Sequence, residues 1–188
     1  MTDRDRILAA LPIGDLSAEA PSLPKAAAEA SWEKFCGRLS ALRGEVVSGG
    51  FAALTQMRAV VDFDVPPDIR SQFPNQTADV WEAELGVTMA DAVVCETGSI
   101  LIRDTPSRRR LASLVPERHL CLVAEDRIAP TLAEAIALVG RENAVLISGP
   151  SRTADIEGVM ILGIHGPRML MVAKVSDFLE ERLALRDR

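Results

Sequence analysis

Apolar residues along this chain fall into two rhythms. Short unbroken runs alternate with stretches in which Leu, Val, Ile, Ala or Phe return every third or fourth position. An unbroken run is the pattern of a strand buried on both faces, and the wider spacing is the pattern of one helix face. The runs predict strands at 44–50, 87–89, 92–95, 99–103, 119–123, 144–147, 159–164 and 169–172. The spaced stretches predict helices at 2–11, 25–43, 51–61, 107–114, 131–139 and 176–185, with one helical turn in 79–86. Thr2 or Asp3 would cap the first helix and Ser176 the last. Pro12, Pro21 and Pro24 mark an extended connector over 12–24, and Pro66, Pro67 and Pro74 a loop over 64–78.

Strands interleaved with helices predict an α/β fold, with a largely parallel central sheet flanked by helices and an N-terminal helical arm. Residues 1–43 read as arm and linker, and 44–188 as the α/β domain. Trp32, Phe35, Leu39 and Leu42 give the arm helix an apolar stripe. That stripe needs a surface to cover it, either the body of this protein or another chain. Ligands of parallel sheets bind beyond the carboxyl ends of strands. Three polar loops are expected there, 96–98, 124–127 and 148–153, which argues for one composite site.

Composition narrows the function classes. The chain has 188 residues, 48% hydrophobic and 26% charged, with 4% aromatics and no tyrosine. That is one globular domain with an aliphatic core. A net charge of −6 and a sequence pI near 5.0 leave no broad basic face, so nucleic acid is not an expected partner. Arg108-Arg109-Arg110 reads as a solvated helix face. Cys36, Cys95 and Cys121 are far apart and form no close pair, so neither an iron–sulfur cluster nor a metal site is expected on this chain. No run reaches the length of a membrane span and no signal-peptide pattern is present, which predicts a cytoplasmic protein. Gly-x-Gly-x-x-Gly and Walker-A loops are absent.

The chemistry concentrates in three stretches. Ser148-Gly149-Pro150-Ser151-Arg152-Thr153 follows an apolar run and precedes Asp155. It reads as a strand end, a tight loop and a short helical turn capped by Ser151 or Thr153. Such a turn offers backbone N–H groups, hydroxyls and a guanidinium to an anion. Ordinary loop chemistry, with Arg152 paired to Asp155, is the competing reading. Glu96-Thr97-Gly98-Ser99 offers a carboxylate as general base and hydroxyls for an anion, or else a plain hairpin turn. Asp91 is near enough in sequence to pair with Glu96 in acid/base work, or is a turn residue. In Glu125-Asp126-Arg127 the arginine either satisfies Asp126 or joins Arg152 in holding a carboxylate or phosphate. Of the two histidines, His165 in the turn after the 159–164 run is the acid/base candidate. His119, opening a strand, reads as a hydrogen-bonded structural residue.

Taken together, "SGPSRTADIE", "GIHGPR", Ala90-Asp91-Ala92, Cys95-Glu96-Thr97-Gly98-Ser99, Val115-Pro116, His119 and "EDRIAPT" occur in the order of the lactate utilization protein C family of LUD-domain proteins. The resemblance covers roughly residues 80–175. It implies a fold similar to the ribose-phosphate isomerase, glucosamine-phosphate isomerase and CoA-transferase group. It also implies a subunit of an L-lactate oxidation system, working beside iron–sulfur partner proteins that carry the clusters, with no cofactor bound by this chain. A small anionic metabolite would sit at the carboxyl ends of the strands. The candidate acid/base residues are Glu96 and His165, and the candidate binding residues Thr97, Gly98, Ser99, Arg127, Ser148, Gly149, Ser151, Arg152 and Thr153. Two alternatives stay open: a stand-alone sugar-phosphate or CoA-ester enzyme, and a metabolite-binding module without chemistry.

Overall fold

The computed structural model describes residues 2–10, 29–105, 110–139, 142–154 and 160–186. In chain order its elements are α1 (Asp3–Ala10), α2 (Trp32–Ala41), β1 (Glu45–Val46), α3 (Phe51–Thr55), β2 (Ala59–Val61), α4 (Pro67–Arg70), β3 (Leu85–Met89), β4 (Ala92–Val94), β5 (Ser99–Arg103), β6 (Arg118–Val123), β7 (Ile128–Ala129), α5 (Leu132–Val139), β8 (Ala144–Ile147), β9 (Arg152–Ala154), β10 (Met160–Leu162), β11 (Met169–Lys174) and α6 (Val175–Arg186). Single 3₁₀ turns occupy Arg110–Ser113 and Glu125–Arg127.

The central sheet is parallel throughout, in the order β1-β11-β6-β3-β2. Of its inner strands, β6 and β11 contain unbroken apolar runs and are buried over nearly their whole length. One face, through Leu85, Val87, Leu120, Leu122, Met171 and Ala173, packs on Phe51, Leu54, Ile69, Phe73 and Phe178 from the helical side. The opposite face presents Cys121, Val123, Leu170 and Val172 to a second sheet.

That second sheet is the main departure from expectation. The 92–95, 99–103 and 144–147 runs do not join the parallel sheet. They form a separate four-stranded sheet, β7-β4-β5-β8, in which β4–β5 and β5–β8 are antiparallel. Val93, Ile100 and Ile102 fill the space between the sheets, while Ala92, Val94 and Leu101 receive α5 through Ala135 and Val139. Ser31 caps α2, its hydroxyl accepting from the Lys34 N–H at 3.3 Å. Phe35 and Leu39 of that helix are fully buried in the inter-sheet core, so this part of the expected arm packs on the body.

Other boundaries shift for local reasons. The helix expected over 51–61 stops at Thr55, and Ala59–Val61 becomes β2, because Val60 and Val61 are β-branched and pair with β3. Within the loop expected at 64–78, Pro67 opens the short α4. The connector over 12–24 lies outside the described residues, as do residues 25–28 of the predicted arm helix. No helix among the described residues is long and apolar enough to cross a membrane.

Candidate functional site

A cleft that gathers four of the predicted binding and acid/base residues lies between the two sheets, beside the starts of β6 and β11. Its volume is about 270 Å³. His119 and Leu170, paired neighbours on the central sheet, form its floor. Val145, Leu146 and Ile147 of β8 make one wall, with Ser148 to Ser151 continuing it. Arg110, Ser113 and Leu114 close the opposite side, and His165-Gly166-Pro167 the rim.

Local backbone contacts explain this convergence. The Ser151 N–H donates to the Pro167 carbonyl at 2.9 Å, and the Gly163 N–H donates to the Ser151 carbonyl at 3.0 Å. Those bonds stitch the 148–151 loop to the 163–167 turn and bring His165 to the rim. The Ser148 and Ser99 hydroxyls lie 2.7 Å apart, tying the same loop to β5. Gly149 takes φ +85°, and a side chain there would meet the Leu42 carbonyl at 2.5 Å. The loop therefore lies flat against the end of α2.

The residues straight after this loop are extended, and 155–159, where the expected helical turn would continue, lie outside the described residues. Arg152–Ala154 is β9, paired antiparallel with β10, and Thr153 faces Ile161 in that ladder. Ser151 therefore caps no helix, and the turn that Thr153 would cap falls outside the described residues. Asp155 and Glu157 lie outside the described residues. Arg152 turns away from the cleft, its Nη2 donating to the Leu42 carbonyl at 2.7 Å. The cleft also sits at the amino ends of the central strands, not at the carboxyl ends, because β8 belongs to the other sheet.

The remaining candidates lie elsewhere. Glu96 Oε2 accepts from the Leu132 N–H at 3.1 Å and so caps α5, a favourable place for a carboxylate at a positive helix end. Thr97 Oγ1 accepts from the Ser99 N–H at 3.3 Å. Gly98, at φ +70°, lets the β4–β5 turn abut the α2 backbone at Arg38 and Leu39. Asp91 is buried and accepts from the Arg103 backbone N–H at 2.7 Å and from Nε at 2.8 Å. This pairing raises the Arg103 pKa further. Arg127 lies on the surface, 3.6 Å from Asp126. At the carboxyl end of β6, Glu125 accepts from the Ser176 hydroxyl at 3.3 Å.

Of the predicted binding residues, then, Ser148, Gly149, Ser151 and His165 share one cleft, with Ser99 touching Ser148. Sequence reasoning did not place Arg110, Ser113, Leu114 or His119 there. Arg108 and Arg109 are outside the described residues, and Arg110 is 3.9 Å from Asp104. His119 is the most informative addition. It is completely buried, its Nε2 is 2.8 Å from Thr88 Oγ1, and Nδ1 has no hydrogen-bond partner. The sequence signal was a histidine opening an otherwise apolar strand. Among the described residues, no group of three or more His, Cys, Asp or Glu is arranged to hold a metal ion.

Burial lowers the His119 pKa from 6.5 to about 4. Between those values the unfolded chain binds the extra proton and the folded chain does not. Stability should therefore fall as pH drops from 6.5 toward 4, by at most about 1.4 kcal/mol per pH unit from this residue. His119→Gln should flatten that slope, as measured by urea midpoints between pH 7 and 4.5. Identical slopes in both proteins would remove His119 as the cause.

The family model described as LUD domain matches residues 66–173. A lactate utilization protein C of Deinococcus radiodurans is 38% identical over 114 residues, covering 57% of this chain and 54% of that protein. The Bacillus subtilis protein of that name is 25% identical over 168 residues, covering 75% and 70%. A crystal structure of a DUF162 family protein from Deinococcus radiodurans superposes with TM-score 0.59 at 22% identity, covering 76% of this chain and 94% of that one. The chain spans about half the length of the first curated relatives it matches.

Proposed function

The chain belongs to the LUD-domain family, and from that premise we propose that it is a subunit of an L-lactate oxidation system. The observation that carries this reading is the family match over 66–173, on the segment that supplies most of the cleft. The name shared by its relatives in Deinococcus radiodurans and Bacillus subtilis supports the process. Amino-acid side chains do not accept a hydride, so the redox cofactor belongs to iron–sulfur partner proteins.

This chain's part is to bind a small carboxylate anion in the inter-sheet cleft. Arg110 supplies a fixed positive charge at the wet side, where Asp104 is its present partner at 3.9 Å. Ser148, Ser151 and Ser113 supply hydroxyls, and His165 an imidazole at the rim. His165 is the acid/base candidate of the cleft. Glu96 is committed to the α5 terminus, which supports a structural role for it.

The test is lactate-dependent reduction of an artificial electron acceptor by the iron–sulfur partners, prepared with and without this chain. Turnover that requires the chain is the expected result. Equal turnover without it would remove the lactate role.

A further inference from the structure

We infer that Ser99, buried behind the cleft, is a positioning residue: its hydroxyl donates to Ser148 Oγ, and the Ser148 proton is thereby left for a carboxylate oxygen in the cleft. This inference rests on the preceding reading of the cleft as a carboxylate site, and it names one of the donors of that site.

The strand register brings the two serines together. β5 and β8 pair antiparallel with Ile100 opposite Ile147, so one position further along Ser99 stands opposite Ser148. Their hydroxyl oxygens are 2.7 Å apart, the ordinary length of an O–H···O bond. The surroundings of the two ends differ. Ser99 is 1% exposed, whereas Ser148 is exposed and lines the cleft.

That difference decides which oxygen donates. Each hydroxyl has one proton and also accepts. Among the described residues, neither side-chain oxygen has another hydrogen-bond partner. If Ser148 donated to Ser99, the Ser99 proton would be buried without an acceptor, at the full desolvation cost of that group. If Ser99 donates, its proton is satisfied, and Ser148 keeps its own at a place that a ligand reaches. The second arrangement therefore prevails.

The same arrangement makes Ser148 a good anion donor. Hydrogen bonds in a chain polarise one another, so accepting from Ser99 strengthens the bond that Ser148 gives. The backbone beyond Ser148 is held, with Gly149 packed on the Leu42 carbonyl and the Ser151 N–H bonded to the Pro167 carbonyl. A carboxylate oxygen only accepts, and its charge shortens and strengthens the bond it receives.

The experiment is calorimetric titration of the full chain with L-lactate, comparing the unmodified protein with Ser148→Ala, Ser99→Ala and the double variant. Urea midpoints check that each variant is folded under the titration conditions. Ser148→Ala should bind lactate at least about tenfold more weakly, as expected for a lost hydrogen bond to a charged group. Ser99→Ala should bind it about threefold more weakly, the cost of fixing on binding a hydroxyl now free among three staggered positions. The double variant should bind as Ser148→Ala does, because Ser99 acts only through Ser148. Unmodified affinity in Ser99→Ala overturns the positioning role and leaves the carboxylate reading standing. Losses that multiply in the double variant do the same, since they mark a general effect of Ser99 on the shape of the cleft. Unmodified affinity in Ser148→Ala removes Ser148 as a donor and overturns the inference. No lactate binding by the unmodified protein overturns the carboxylate reading and this inference with it.

Discussion

Gly86→Ala is expected to destabilise the protein by about 3 kcal/mol, the upper end of the usual cost of overpacking. Gly86 lies inside β3, paired with Val60 on one side and His119 on the other. A methyl group there would overlap the Ala112 carbonyl oxygen, lie 2.8 Å from its carbon and reach Pro116 Cγ at 3.3 Å. Two of those atoms are backbone, so no rotamer change relieves the clash. The 3₁₀ turn Arg110–Ser113 would have to retreat from the sheet, and that turn carries Arg110 and Ser113, with Leu114 just after it, into the cleft. Urea denaturation should show the loss as a lower midpoint. A variant with the wild-type midpoint would mean that the turn does not hold its position over β3.

Phe35→Ala should cost about 3 to 5 kcal/mol, as a large buried aromatic does when its cavity cannot collapse. Phe35 is completely buried between the sheets, in one cluster with Val93, Ile100, Cys121 and Val172. Both sheets have their own hydrogen-bonded ladders, so neither closes readily over the vacancy. Trp32, one turn earlier, is only partly buried, with the Lys174 ammonium 5.4 Å from its ring centroid, and Trp32→Ala should cost less. Guanidinium chloride midpoints of the two variants measure the difference. A loss under about 1 kcal/mol for Phe35→Ala would mean that α2 is an appendage and not part of the core.

The strands and helices of the central layer were legible because burial on both faces leaves a plain mark. Leu120 to Val123 and Leu170 to Ala173 are unbroken apolar runs, and both are central strands. Ala144 to Ile147 looks the same in sequence and is an edge strand of another sheet, with Ala144 and Leu146 exposed. Nothing local separates the two cases, since the difference is the partner each run finds. That error carried into the site. The 148–153 loop was expected beyond the parallel strands with an arginine aimed at an anion, but a hairpin follows β8 and Arg152 binds the Leu42 carbonyl. Ser148, Gly149, Ser151 and His165 were legible as a group because two glycine-containing turns flank one stretch. His119 was legible as a buried hydrogen-bonded residue, whereas its place on the cleft floor depends on contacts over long sequence separations.

The strand order sets a timetable for synthesis. β11 lies between β1 and β6, so the central sheet lacks its inner member until residues 169–174 have been made. At about 5 to 20 residues per second, the interval between completing β6 and completing β11 is roughly three to ten seconds. During it the emerging chain carries unpaired apolar edges on both sides of the gap, the kind of surface that draws chaperones or aggregates. Nascent chains stalled before residue 169 should therefore be protease-sensitive throughout β1 and β6, however well the second sheet has formed.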